Sequence, residues 1–149
     1  MIEAFICNGM VGKLCKYLRM CGFDVLYQRE SAKAQVQAMR ENRILLTRNT
    51  KIKTKANVFL LESDNAHIQL KLVFDRFNMK ESVNFFSRCL LCNELLAPVK
   101  KESVRKKVPY FTYQNIDEYA QCPKCSRIYW KGSHYQKMLS DIKKHLNLE

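Results

Sequence analysis

Two CxxC pairs constrain this chain more than any other feature. Cys89-Leu-Leu-Cys92 and Cys122-Pro-Lys-Cys125 are separated by 29 residues. A CxxC turn aims two thiolates at one point, and two such turns complete a tetrahedral set of soft ligands. Four thiolates leave no open coordination position, so the pattern points to a structural Zn2+. A thioredoxin-type redox pair follows a strand and opens a helix, and neither pair has that setting. So short a ribbon cannot build a sufficient core, and the metal is expected to supply much of its folding free energy. The chain holds seven cysteines, and its start, MIEAFICNG, lacks the long apolar core of a signal peptide. Both facts argue against a disulfide framework and predict a cytoplasmic, reducing setting. Cys7, Cys15 and Cys21 have apolar neighbours and are expected in a core.

Hydrophobic periodicity separates the chain into two textures. Residues 4–7 form a short apolar run, broken by Asn8-Gly9. Met10, Val11, Leu14, Cys15, Leu18 and Cys21 recur at helical steps of three and four, and Gly22 stops that helix. Residues 24–28 read as a strand, Ser31 as the N-cap of a helix through Asn42, residues 43–48 and 57–61 as strands, and 67–77 as a helix. The strand 43–48 is apolar without alternation, as in parallel sheets covered on both faces. This order predicts a small doubly wound α/β sheet over residues 1–86. From residue 87 to 149 short apolar pieces (95–99, 108–113, 127–130) alternate with turns, as the strands of a zinc ribbon do, and a helix closes the chain over 133–146. No apolar run approaches the roughly 20 residues that span a bilayer.

The formal charge is +12. Residues 1–86 carry 14 basic and 8 acidic side chains and residues 87–149 carry 12 and 6, so each part is net +6. The excess therefore belongs to the folded surface of both parts, the electrostatic footprint of a nucleic-acid binder. Candidate RNA contacts are Lys13, Lys16 and Arg19 on the first helix, Arg48, Lys51, Lys53 and Lys55 after the third strand, and Arg105, Lys106 and Lys107 in the ribbon. Tyr110, Phe111 and Tyr113 beside the last cluster offer a stacking face or core packing.

Four stretches together resemble one family: Asn8-Gly-Met-Val-Gly-Lys-Leu-Cys-Lys-Tyr-Leu-Arg-Met-Cys-Gly-Phe-Asp24, Arg43-Ile-Leu-Leu-Thr-Arg-Asn49, Ser87-Arg-Cys-Leu-Leu-Cys-Asn93, and Cys122-Pro-Lys-Cys with Tyr129-Trp-Lys-Gly-Ser-His134. The chain resembles the Mut-seven C-terminal ribonuclease-like family, a PIN-like nuclease fold followed by a zinc ribbon. The resemblance implies a three-layer α/β/α domain, an RNA substrate, and a Mg2+ or Mn2+ site built from carboxylates. Metal-dependent phosphodiester hydrolysis uses such hard, charged ligands to hold the ion and position water. By motif match, the family's acids fall on Asn8, Ser31 and Asn49.

None of the three is acidic. Two unit charges about 4 Å apart interact by about 4 kcal/mol at an effective dielectric of about 20. Replacing acids with amides and a hydroxyl removes terms of that kind, and Arg48 and Lys51 add repulsion. Asp64, ending the fourth strand, is the best replacement acid; Asp24 reads as a strand-start residue. Asn8 and Asn49 also suit turns in their own right. Trp130 and His134 are read as fixing the last helix against the ribbon. The first functional reading is an RNA-binding protein with a degenerate nuclease site, acting on ribosomal or structured RNA. The alternatives are an active Mg2+- or Mn2+-dependent endoribonuclease, and a module that binds DNA or a protein. The oligomeric state is left open.

Overall fold

Strand β1 (Ala4–Asn8) sends successive side chains into two different apolar layers, and that alternation organises the first part of the chain. In the computed structural model, which describes residues 4–52 and 57–148, Phe5 and Cys7 enter one core cluster and Ile6 enters another. A 3-10 turn (Gly9–Val11) leads into α1 (Gly12–Met20), followed by β2 (Asp24–Gln28), α2 (Ser31–Arg40), β3 (Ile44–Thr47), β4 (Val58–Leu60) and α3 (Ala66–Phe77). The four strands are all parallel, in the order β2-β1-β3-β4. The chain steps from β1 outward to β2, then crosses to the other side of β1 for β3. Strand order therefore reverses at the β1/β3 pair, which opens a crevice at their C-terminal ends.

Helices cover both faces. Leu14 and Leu18 of α1, Leu70, Val73 and Phe74 of α3, and Ile142 and Leu146 pack with Phe5, Phe23 and Leu46 on one side. On the other, Ala34 and Ala38 of α2 meet Ile6 and Leu45. The i, i+4 alanine pair presents no bulk, so this helix sits close to the sheet. Cys7, Cys15 and Cys21 are all buried in the first cluster, as their neighbours predict.

The ribbon part contains β5 (Ala97–Val99), α4 (Tyr110–Asn115), β6 (Tyr119–Gln121) and β7 (Ile128–Tyr129). Its three strands form an antiparallel sheet in the order β5-β6-β7. Helix α5 (Ser133–Leu146) closes the chain. Two sequence expectations change here. The aromatic run 108–113 is a helix entered through Pro109, not a strand. Burial of Val104, Val108 and Tyr119, with Tyr113 packed on them, overrides the β propensity of the run. And α5, grouped by sequence with the ribbon, places Ile142 and Leu146 in the core of the parallel-sheet part, so the chain returns to its first part to finish. Among the described residues no helix is long and apolar enough to cross a membrane.

Candidate metal centre and strand-end cleft

The two CxxC turns meet. Ligand atoms of Cys89, Cys92, Cys122 and Cys125 all lie within 4.8 Å of one another. A Zn–S bond of about 2.3 Å in a tetrahedron separates the sulfurs by about 3.8 Å, and Cys89 Sγ lies 3.7 Å from Cys125 Sγ. The donor set thus fits a soft or borderline metal ion held entirely by the protein. Each turn also donates a backbone N–H to its first sulfur, Cys92 N to Cys89 and Cys125 N to Cys122, both at 3.4 Å. Such bonds stabilise thiolates before any ion arrives.

Tyr129 on β7 adds a contact the sequence reading did not assign. Its hydroxyl accepts the Leu90 amide at 2.9 Å, and its oxygen lies 3.1 Å from Cys89 Sγ, so that toward a Cys89 thiolate the phenol is the donor. Burial pushes the Cys89 thiol up. Hydrogen bonds from Tyr129 and the Cys92 and Leu91 amides outweigh that and bring it down to about 7. Burial and the neighbouring sulfurs push Cys92 up to about 12. Loading a metal therefore displaces protons from part of the cluster.

Where strand order reverses, the three positions singled out by the family motif converge. Asn8 ends β1, Ser31 opens α2, and Asn49 follows β3. Asn8 Oδ1 accepts the Thr47 hydroxyl at 3.0 Å and the Ser31 hydroxyl at 3.1 Å. Its Nδ2 donates to the carbonyls of Arg29 at 2.9 Å and Gln28 at 3.2 Å. Asn49 Nδ2 donates to Ser31 Oγ at 3.1 Å, and Asn49 Oδ1 accepts the Lys51 amide at 3.0 Å. Both lone-pair directions of the Asn8 oxygen are thus engaged. The cleft around this network, about 330 Å³, is lined by Arg29, Arg48 and Lys51 but by no acidic residue among those described. With these partners, the residues present do not fit a Mg2+ or Mn2+ ion, which needs several free, charged oxygens.

The remaining candidates disperse. Asp64 is exposed in the loop after β4 and does not line the cleft, so it does not replace a missing acid there. Asp24 lies at the opposite end of β2, ion-paired to Arg43 at 2.9 Å. Lys13 and Lys16 are exposed on α1, and Arg105, Lys106 and Lys107 are exposed in the ribbon. Lys53 and Lys55 lie outside the described residues. Arg19 does not face solvent: it is 8% exposed and donates to Val25 O at 2.8 Å and Leu90 O at 3.0 Å. The i, i+3 spacing with Lys13 and Lys16 suggested a shared surface, but Arg19 sits where the first CxxC turn covers α1. His134 is exposed, and Trp130 packs edge-on against Tyr119 within the ribbon core, a structural contact inside the ribbon and not one to the last helix. Tyr110 and Phe111 are about four-fifths exposed, at 79% and 78%, while Tyr113 packs inward. Arg29 was not singled out by sequence; its place at the C-terminal end of β2 is the signal that finds it.

A family profile described as the Mut7-C RNAse domain matches residues 3–142. The chain belongs to that family, which gives it a nuclease-like or RNA-related character. Neither the curated proteins nor the solved structures provide a match.

Proposed function

We propose that this protein binds RNA through an RNase-like domain without cleaving it by a metal-dependent route, and that its four-cysteine centre holds a structural Zn2+. The observation that carries the reading is the strand-end cleft. Its carbonyl, amide and hydroxyl groups satisfy one another, and its charged lining residues are Arg29, Arg48 and Lys51. A divalent ion entering that surrounding gains no carboxylate and meets fixed positive charge. The family and the net charge of +12 support an RNA partner, ribosomal or otherwise structured. The odd count of seven cysteines, four of them gathered in one cluster, supports a reducing, cytoplasmic setting. We read the chain as an α/β unit over 1–86 and a ribbon unit over 87–149 whose last helix packs back on the first.

The test is direct. Labelled RNA is incubated with the purified protein and Mn2+, with and without EDTA, and binding is followed in parallel across salt. Expected are intact RNA and an affinity that falls steeply as salt rises. Cleavage that requires Mn2+ and is abolished by EDTA would instead establish the endoribonuclease reading, and salt-independent affinity would sink the electrostatic one.

A further inference from the structure

Between β5 and β6 the ribbon carries a segment, residues 100–118, that contributes no ligand to the four-cysteine centre. Within it, residues 105–115 hold three cations and no acid. Lys101 is paired with Asp117 at 2.9 Å, whereas Arg105, Lys106 and Lys107 are exposed and make no ion pair among the described residues. Buried Val108 then leads into α4, where Tyr110 and Phe111 are the two most exposed large apolar side chains among the described residues. In a strand these neighbours would point to opposite faces. In the helix they project about 100° apart, and Tyr113 alone of the three rings packs inward. The local core closes without them, on Val104, Val108 and Tyr119. The turn that bears them is also fixed. Asn115 Nδ2 donates to the Phe111 carbonyl at 2.8 Å, the Tyr119 hydroxyl donates to the Thr112 carbonyl at 3.2 Å, and Lys101 Nζ lies 4.9 Å from the centre of the Tyr113 ring. Rings presented on a backbone that is already ordered lose little entropy when a ligand covers them.

We propose that this segment is a stacking platform for single-stranded RNA: Tyr110 and Phe111 each take the face of an unpaired base, and Arg105, Lys106 and Lys107 neutralise the phosphates alongside. The proposal rests on the RNA reading above and adds to it a contact surface on the ribbon, distinct from the strand-end cleft. Every base has a π face, so such stacking tolerates any sequence but requires bases that are free of a duplex. Lys107 and Tyr110 are three residues apart, a reach of at most about 11 Å even for extended chain, so charge and ring can meet neighbouring nucleotides. Two exposed rings alone would suit many partners. Three unpaired cations beside them select an anionic one, and the RNase family favours a nucleic acid over a lipid surface of like charge.

The experiment uses the full, zinc-loaded chain and follows by fluorescence anisotropy a labelled single-stranded RNA and the same sequence annealed to its complement. Expected is affinity for the single strand about tenfold weaker in Tyr110→Ala and in Phe111→Ala, with the salt slope unaltered. Tyr110→Phe keeps the ring face and should keep the parent's affinity. The triple variant Arg105→Gln/Lys106→Gln/Lys107→Gln should instead flatten the salt slope by about two, at about 0.7 for each phosphate contact on a single strand. Duplex affinity should be indifferent to the ring variants. All five side chains are exposed, so every variant should melt with the parent. Failure of the unaltered protein to bind either RNA overturns the RNA reading itself. Binding of the duplex alone, or single-strand binding at full affinity in both alanine variants, overturns the platform and leaves that reading standing. Self-association, or binding to phosphatidylserine vesicles, that the alanine variants abolish overturns the platform too, since the rings would then face a second copy or a lipid surface.

Discussion

Asn93, the residue that follows the first CxxC turn, donates from Nδ2 to Asp24 Oδ1 at 2.7 Å and accepts the Val25 amide on Oδ1 at 2.9 Å. Strand β2 is an edge of the parallel sheet, and an open edge carries unpaired backbone groups. Asn93 satisfies the Val25 N–H, and Arg19 Nε satisfies the Val25 carbonyl at 2.8 Å while its Nη1 holds the Leu90 carbonyl. Arg88 adds bonds to the carbonyls of Gly22 at 3.0 Å and Asn93 at 2.8 Å. The first CxxC turn is thus the cap of the sheet's edge, and the two parts of the chain are fastened by side chains as well as by the backbone between them.

Replacing Asn93 separates that clamp from local backbone strain. Asn93 has φ +67, which glycine adopts freely and alanine does not. Asn93→Gly removes the clamp alone and should cost about 2 kcal/mol, since it leaves a buried amide and a carboxylate short of partners. Asn93→Ala should cost about 1 kcal/mol more. Urea denaturation of both variants checks the order; equal stability of the glycine variant and the parent would show that the clamp contributes nothing.

Stripping the metal should destabilise more than the ribbon. Trp130 is the only tryptophan, and it packs in the ribbon core against Tyr119. A strong chelator should change Trp130 fluorescence and, through the loss of the Leu90 and Asn93 contacts, lower the melting temperature of the helical signal as well. Added Zn2+ should restore both. A helical melting curve untouched by chelation would show that the parallel sheet stands independently of the metal.

Tyr129→Phe tests the hydroxyl beside Cys89. Without its proton the Cys89 thiol should titrate above its value of about 7, because burial would act with one fewer opposing hydrogen bond. Metal affinity should fall by about tenfold to a hundredfold, the usual consequence of removing a contact behind a ligand. Alkylation rate against pH reads the first effect and competition with a chromophoric chelator reads the second. An unaltered Cys89 titration would remove Tyr129 from the centre.

Asn8→Asp should not rebuild a metal site. Asn8 is 4% exposed, and its Nδ2 faces two carbonyl oxygens, from Gln28 and Arg29. A carboxylate oxygen in that place would lose two hydrogen bonds and gain two repulsive contacts, costing about 2–4 kcal/mol at neutral pH. Such a buried, disfavoured carboxylate has a raised folded-state pKa. Its penalty is therefore greatest at neutral pH and shrinks as pH falls through that value, because the protonated acid can donate. Thermal melts of variant and parent at neutral and mildly acidic pH check this; a variant as stable as the parent at neutral pH would mean the cleft accepts a charge there.

Much of this architecture is readable in the residues. The four-cysteine cluster and the parallel sheet follow from local spacing and from element order, whereas the grouping of Asn8, Ser31 and Asn49 comes from the match to the family's motifs. Other features depend on packing between distant segments. Arg19 reads as a surface cation until Leu90 and Val25 close over it, and no local pattern announces contacts across some seventy residues. The run 108–113 carries strand-forming residues, yet the small cluster around Val104 and Val108 selects a helical turn. The last helix shows its apolar stripe plainly, but the stripe does not say which core it joins. Ser31 reads as an N-cap and instead is the first helical residue, its hydroxyl committed to Asn8.

His67 gives the chain an acid-side weakness that can be measured. Its ring stacks on His145 with centroids 4.0 Å apart and on Tyr17 at 5.0 Å, where α3 meets α5 and α1. Burial holds His67 below the usual histidine value, the neighbouring His145 and Lys13 push it the same way, and Asp141 opposes them. A folded-state value below the unfolded one means that protonation favours the unfolded chain. The stabilisation from a neutral His67 is therefore fully present above the unfolded imidazole pKa of about 6.5 and is lost as pH falls below it. His67→Phe keeps a ring in the stack and removes the titration. Melting temperatures measured from about pH 7.5 to 5 should decline in the parent below about pH 6.5 and stay flatter in the variant. A variant that declines as steeply as the parent would assign the acid sensitivity to other groups and leave the His67–His145 stack without a role in it.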